Sequence, residues 1–394
     1  MDTERDTRNI PYSMQHYLQS HDTLQENLRS GPNPLPVHIG MATISERADQ
    51  SADDADQMLR MMIQGIKRYQ SHPYQRDMEP FPEVWRAGEV SIGLCKANEN
   101  GATKPAKASI LLVPSMINKS YILDLLPERS LARWLSQQGL DVYFLDWGDP
   151  LKDDQLNGMD MLISERLVKA LEFVTDHTEV PCFALGYCMG GTLLLGAVQE
   201  MSDKFAGVIF LAAPWNFHDG EQPLTNHISQ GLDLAGKMIA EHNYLPADWI
   251  QSIFAAVNAD RSASKFKNFD LMEQDSDKAI RFVAVEDWLN DPVHLPARLG
   301  KECLSLWYEK NLTVKDQWCI NGTAVRPQNL KARSLVIYSP RDRLVPAQSS
   351  EYLFAALPDA DKLVPDTGHI GMIAGGQAPD IVWQPALDWI NSVL

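Results

Sequence analysis

The stretch 182–201, "CFALGYCMGGTLLLGAVQEM", constrains this chain more than any other. An apolar, β-rich run over 182–187 meets a helical stretch over 190–201, with Gly186, Gly190 and Gly191 at the junction. A short continuous apolar run suits a strand covered on both faces. A helix can begin where that strand stops only if the chain turns sharply, and Gly186 and Gly190 must then be small so that helix and strand can approach. Cys188 falls at the apex, strained and with its side chain presented. Such an elbow displays a nucleophile, and the backbone N–H of the next residue, Met189, can point at negative charge developing on a substrate oxygen. The competing explanation is a buried structural cysteine at a glycine-containing strand end.

The pattern around the elbow extends over much of the chain. Apolar runs recur at 108–114 ("ASILLVP"), 141–147 ("DVYFLDW"), 207–213 ("GVIFLAA") and 334–339 ("SLVIYS"). Helical stretches separate them, among them Ser130–Gln138 and Met159–Thr175. Strands alternating with helices predict a mostly parallel sheet flanked by helices. The rhythm lapses over 215–330, where aromatic, polar and proline residues mix, and this predicts a largely helical cap insertion. The core then comprises 106–214 and 331–394. Ahead of it, Leu59, Met62, Ile63, Ile66 and Tyr69 repeat at helical spacing, so 51–105 is expected to be a helical segment packing on the core. Ser51 and Asp54 resemble its capping box. Residues 1–50, punctuated by Pro and Gly, are expected to be a loosely attached polar arm.

A strand–elbow–helix unit in a parallel sheet defines the α/β-hydrolase fold, which needs an acid and then a histidine further along. Asp342 in "YSPRDRLVP" follows a strand, and His369 in "DTGHIGMIAG" lies in a glycine-flanked loop. The order Cys188, Asp342, His369 is the one the fold expects. His218, in "PWNFHDG", precedes the acid and ranks second as the base. A second oxyanion N–H is expected from the loop after the 108–113 strand, at Met116 or Ile117. Taken alone, Asp342 could be a turn or helix-capping aspartate, and His369 a satisfied loop histidine.

A formal charge of -17 argues against a broad nucleic-acid surface, although a local basic patch is compatible with it. The five cysteines show no C-x-x-C pair, as expected for reduced thiols in a cytoplasmic protein, with Cys182 and Cys303 as small core residues. Neither a metal site nor a bound cofactor is expected. The charged start, "MDTERDTRNI", lacks the apolar region of a secretion signal, and no apolar run is long enough to span a bilayer.

Several of these stretches resemble the polyhydroxyalkanoate synthase family. They are "INKSYILDLLPERSLARWLSQQGLDVYFLDWGDP", "ALGYCMGGTLL" and "SPRDRLVPAQSS", with Ile117–Leu131 the most specific. The likeness runs from about residue 65 to 394 and is nearest to the class III catalytic subunits. It implies (R)-3-hydroxyacyl-CoA thioesters as substrate, a covalent acyl-cysteine on Cys188 with release of coenzyme A, and a growing polyester. It maps the family's aspartate to Asp342 and its histidine to His369. It also implies a homodimer, an accessory subunit or a polymer-granule surface as partner. Two departures stand out: Arg343 where family members often carry histidine, and "EDWLNDPVHLP", which keeps only a partial likeness around Trp288. The alternatives are a cysteine hydrolase like the dienelactone hydrolases, which share the elbow but are shorter, and an inactive granule-associated homologue.

Overall fold

The computed structural model describes residues 29–49, 52–97, 105–218, 223–257 and 259–394. Among them eight strands form one sheet: β1 (Glu83–Ala87), β2 (Val90–Cys95), β3 (Ala108–Val113), β4 (Leu140–Asp146), β5 (Cys182–Tyr187), β6 (Gly207–Leu211), β7 (Arg333–Ile337) and β8 (Ala360–Leu363). Their order across the sheet is β1-β2-β4-β3-β5-β6-β7-β8. β1 and β2 join antiparallel, and every pairing from β4 to β8 is parallel. All six residues of β3 and of β5 are buried, which is why both read as unbroken apolar runs.

Alternate residues divide between two cores, as the twofold repeat of a strand requires. Leu111, Val113, Ala184, Val208, Phe210 and Val336 face one side, packing with the Met159–His177 stretch and the Met189–Val198 helix. Ile110, Leu112, Phe183, Leu185, Ile209 and Ile337 face the other, against the Gln384–Val393 helix. Each buried Val, Leu, Ile or Phe among these contributes about 1.5–3 kcal/mol through burial.

The 51–105 segment, expected to be helical and to pack on the core, needs correction. After its helix it adds the hairpin β1–β2 to the main sheet, and this hairpin and the edge strand β8 escape the sequence pattern. β1 is mostly exposed, and Gly88, at φ 59°, makes the tight turn between the pair. β8 shows solvent Asp361 and Lys362, the charges that keep a sheet edge from pairing further. Between β6 and β7 the chain is mainly helical, at Pro223–His242, Ala247–Val257, Ala259–Asp270, Asp277–Leu289 and Ala297–Glu309.

The expected loose arm needs correction where it is described. Leu35–Asp49 is a helix that packs against Ala259–Asp270, with Ala42 fully buried. Pro34 and Pro36 mark its start, since proline is tolerated in a first turn, so the punctuation signalled a boundary and not irregular chain. Residues 1–28 and the Ser51 of the expected capping box lie outside the described residues. The next helix, Ala52–Gln70, buries Met62, Ile66 and Tyr69 against Ala263, Phe266 and Phe269, whereas Ile63 is exposed.

Candidate active site

The elbow takes the strained form that its glycines predict. Cys188 has φ 55° and ψ -130°, a positive φ that a β-substituted residue adopts only when its surroundings enforce it. Its N–H donates to the Leu211 carbonyl of β6 at 2.9 Å, and its own carbonyl accepts from Gly191 at 2.9 Å. A Cβ on Gly190 would run into the Val113 and Pro114 carbonyl oxygens, and one on Gly186 would strike the Gly191 backbone. The strand and helix can therefore meet only through glycine. The Met189–Val198 helix begins at the residue after Cys188.

The loops after β7 and β8 converge on the same end of the sheet. There His369 Nδ1 donates to Asp342 Oδ2 at 2.6 Å. The other carboxylate oxygen of Asp342 accepts from the N–H groups of Leu344 (2.8 Å) and Val345 (2.9 Å). Ser339 ties the two loops together through its hydroxyl, which donates to the Thr367 carbonyl. Asp342 and His369 are both buried. Burial alone pushes the His369 pKa down. The Asp342 carboxylate, negative charge at Cys188 and hydrogen bonds to both outweigh that and hold it well above the ordinary imidazole value. The three residues selected by chain order thus meet in space, with His369 between Asp342 and Cys188.

Cys188 and His369 line a cavity of about 40 Å³ together with Ile117, Met189, Phe254, Trp288, Leu289 and Tyr308. Met116 lines a different cavity, with Val90, Trp147 and Leu299. His218 is not among the residues lining the Cys188 cavity, and its Nε2 donates to the Tyr308 carbonyl at 2.6 Å. Of the aromatics in the helical insertion, Phe254, Trp288 and Tyr308 reach the Cys188 cavity, and Trp249 lines the small apolar cavity beside it. Trp215 and Trp307 only fill the core, each packed edge-on against Trp318.

The segment 117–133 holds this cavity's wall by polar anchors. Buried Asp124 accepts from Ser130 Oγ (2.6 Å) and Arg133 Nε (2.8 Å), and Ser130 caps the Leu131–Gln137 helix by accepting from the Arg133 N–H. The insertion is stitched to the same segment. Trp288 Nε1 donates to the Lys119 carbonyl at 2.7 Å, and the Val293 N–H donates to the Ile117 carbonyl at 3.1 Å.

A second, larger cavity of about 470 Å³ adjoins the first, and Phe254, Leu289, Leu344 and Ile370 line both. Its wall carries the cations Lys265, Lys278 and Arg281 in a strongly acidic chain, beside His38, which burial and Lys265 keep neutral with a pKa lowered to about 4. Lys265 is bound to Glu286 at 2.9 Å. Arg281 faces Arg129 across Gly376, and burial and that like charge both lower its pKa. Sequence gave no sign of this chamber, because its residues come from four separate segments.

A parallel sheet, a glycine elbow, and an acid and histidine on successive later loops define an α/β hydrolase. The chain belongs to the α/β hydrolase fold family, which it matches over residues 109–375. More particularly, it is similar to poly(3-hydroxyalkanoate) polymerase subunits. It is 27% identical to the one from Haloferax mediterranei over 285 residues, 71% of this chain and 58% of that protein. With the one from Thiocystis violacea the identity is 25% over 308 residues, 77% of this chain and 86% of that protein. The matched region thus spans under two thirds of the Haloferax protein. Among solved structures, a soluble variant of monoglyceride lipase from Saccharomyces cerevisiae shares the fold, at 13% identity and a TM-score of 0.54, covering 82% of this chain and 98% of that one. No helix among the described residues is long and apolar enough to cross a membrane.

Proposed function

We propose that this protein is a polyhydroxyalkanoate synthase that transfers (R)-3-hydroxyacyl groups from coenzyme A to a growing polyester through an acyl-Cys188 intermediate. The observation that carries the proposal is Cys188 on a strained elbow beside a His369–Asp342 pair 2.6 Å apart. Similarity to the polymerase subunits supplies the substrate class.

His369 takes the Cys188 proton as the sulfur attacks the thioester carbonyl, and N–H groups at Met189 and Ile117 receive the oxyanion. Collapse of the tetrahedral intermediate breaks the carbon–sulfur bond to coenzyme A, whose sulfur leaves with the proton from His369. One thioester has replaced another, so the acyl group stays activated; an acyl-serine would be a more stable ester and a poorer donor. The hydroxyl of a second unit or chain end then loses its proton to His369, attacks the acyl-cysteine and frees Cys188. Asp342 orients His369, a role supported by the commitment of both its oxygens to hydrogen bonds. Walls of Phe254, Trp288 and Tyr308 keep water from competing with the hydroxyl. Lys278 and Arg281 in the adjoining chamber suit the phosphates of coenzyme A.

The test is incubation with 3-hydroxybutyryl-CoA while coenzyme A and polymer are followed together. Wild type is expected to release coenzyme A and deposit insoluble polyester, and Cys188→Ala to do neither. Coenzyme A released with soluble hydroxy acid and no polymer would turn the assignment to a cysteine hydrolase.

A further inference from the structure

Eleven buried side-chain nitrogen or oxygen atoms of the described residues have no hydrogen-bond partner. Three of them, Ser115 Oγ, Asn118 Nδ2 and the Tyr187 hydroxyl, belong to residues lining the Cys188 cavity. Ser115 and Asn118 are each 6% exposed and Tyr187 1%. Leaving one such atom unpaired costs about 1–3 kcal/mol, so three around one small chamber call for an occupant that pairs with them. The rest of that chamber's wall is largely apolar, with Ile117, Leu224, Phe254 and Leu289. An acyl chain with one polar substituent fits this division.

We propose that Asn118, Ser115 and Tyr187 read the 3-hydroxyl of the acyl group and make the enzyme selective for hydroxylated over plain acyl thioesters. The inference rests on the thioester chemistry proposed above. Ser115 and Asn118 bracket Met116 and Ile117, the positions from which an oxyanion N–H is expected, so one loop can serve both the carbonyl and a hydroxyl two carbons along the acyl chain. A hydroxyl both donates and accepts. The Asn118 amide nitrogen and the Tyr187 hydroxyl can donate to its oxygen, and the Ser115 hydroxyl can accept its proton in a hydrogen bond. The Tyr187 ring lies against His369, with centroids 5.2 Å apart, which keeps its hydroxyl near the reacting end. Desolvation together with the charges of Cys188 and Asp342 raises the Tyr187 pKa well above that of a free phenol, so the group stays a neutral donor. Tyr187 stands out in sequence as the one polar residue of a six-residue buried strand.

A site built around a hydroxyl rejects an analogue that lacks it, because its own polar groups are then left buried and unpaired. The experiment is single-turnover acylation of Cys188, followed by intact mass, with 3-hydroxybutyryl-CoA and with butyryl-CoA. Wild type is expected to favour the hydroxylated donor by at least about 100-fold. Asn118→Ala should cut that ratio about tenfold or more, with smaller reductions for Ser115→Ala and Tyr187→Phe. Ser115→Ala, the least disruptive change, supplies the ratio if Asn118→Ala does not fold. If the variants slow both donors equally and keep the ratio, the trio serves the oxyanion or the fold and the inference is overturned. Equal acylation of wild type by both donors also overturns it while leaving thioester transfer standing. No acylation by either donor removes the proposed function itself.

Discussion

Replacing Asp342 by asparagine tests the site most directly, because the two carboxylate oxygens have separate jobs. Oδ1 accepts two backbone N–H groups, from Leu344 and Val345, and Oδ2 accepts from His369 Nδ1. In Asp342→Asn the amide oxygen is needed at Oδ1, since an NH₂ there would face two donors. The amide nitrogen therefore faces His369 and donates to Nδ1. That moves the imidazole proton to Nε2, on the side of Cys188, where a lone pair is required to take the thiol proton. The expected loss is about 10⁴-fold in acylation rate, the size found when a triad carboxylate becomes an amide, equivalent to about 5.4 kcal/mol of barrier. Stability should fall by only about 1–2 kcal/mol, because one charge-assisted hydrogen bond becomes a neutral one and the loop's backbone bonds survive. The pH dependence has a definite sign. A His369 pKa raised on folding adds stability that is full below the unfolded value near 6.5 and fades as pH rises through the higher folded value. The variant should lose that slope. Single-turnover release of coenzyme A by chromatography and urea unfolding at several pH values measure both quantities. A variant that keeps its fold and acylates within about tenfold of wild type would refute the tautomer mechanism.

Three further outcomes follow from the same geometry. Iodoacetamide should modify half-exposed Cys188 and exposed Cys319 but spare buried Cys182, whose thiol burial pushes up to about 11, and a 3-hydroxyacyl-CoA should protect Cys188 alone; equal labelling of Cys182 in folded protein would contradict this. Gly190→Ala should cost about 3 kcal/mol or more, because its methyl collides with two backbone oxygens, and a melting temperature within about 2 °C of wild type would show that the elbow has slack. Arg281→Glu should raise KM about tenfold for an acyl-CoA but not for the matching N-acetylcysteamine thioester, which lacks phosphates, and a parallel rise for both would mean that Arg281 supports the fold and not the phosphates.

The central strands, the elbow and the order of its partners were legible in the chain because each depends on local chemistry. Unbroken apolar runs follow from burial on both faces, and Gly186, Gly190 and Gly191 from a strand and helix in backbone contact. Asp342 and His369 could be picked because the fold's topology fixes where their loops emerge. The β1–β2 hairpin was not legible, since short, half-exposed strands carry no distinctive periodicity. Nor was the packing of the Leu35–Asp49 helix, whose prolines mark only its start.

What tertiary structure alone decided is what surrounds Cys188. The fold puts Ile117 on the wall of the Cys188 cavity and Met116 on the wall of another, a sorting that adjacent residues of one loop do not reveal in sequence. Sequence could not sort the aromatics that wall in the site from those that fill the core, because a tryptophan looks the same in either place. The cationic chamber and the unpaired trio Ser115, Asn118 and Tyr187 are likewise products of folding. Each joins residues far apart in the chain, and their chemistry depends on distance and desolvation, which exist only once the sheet and its helical insertion have closed around them.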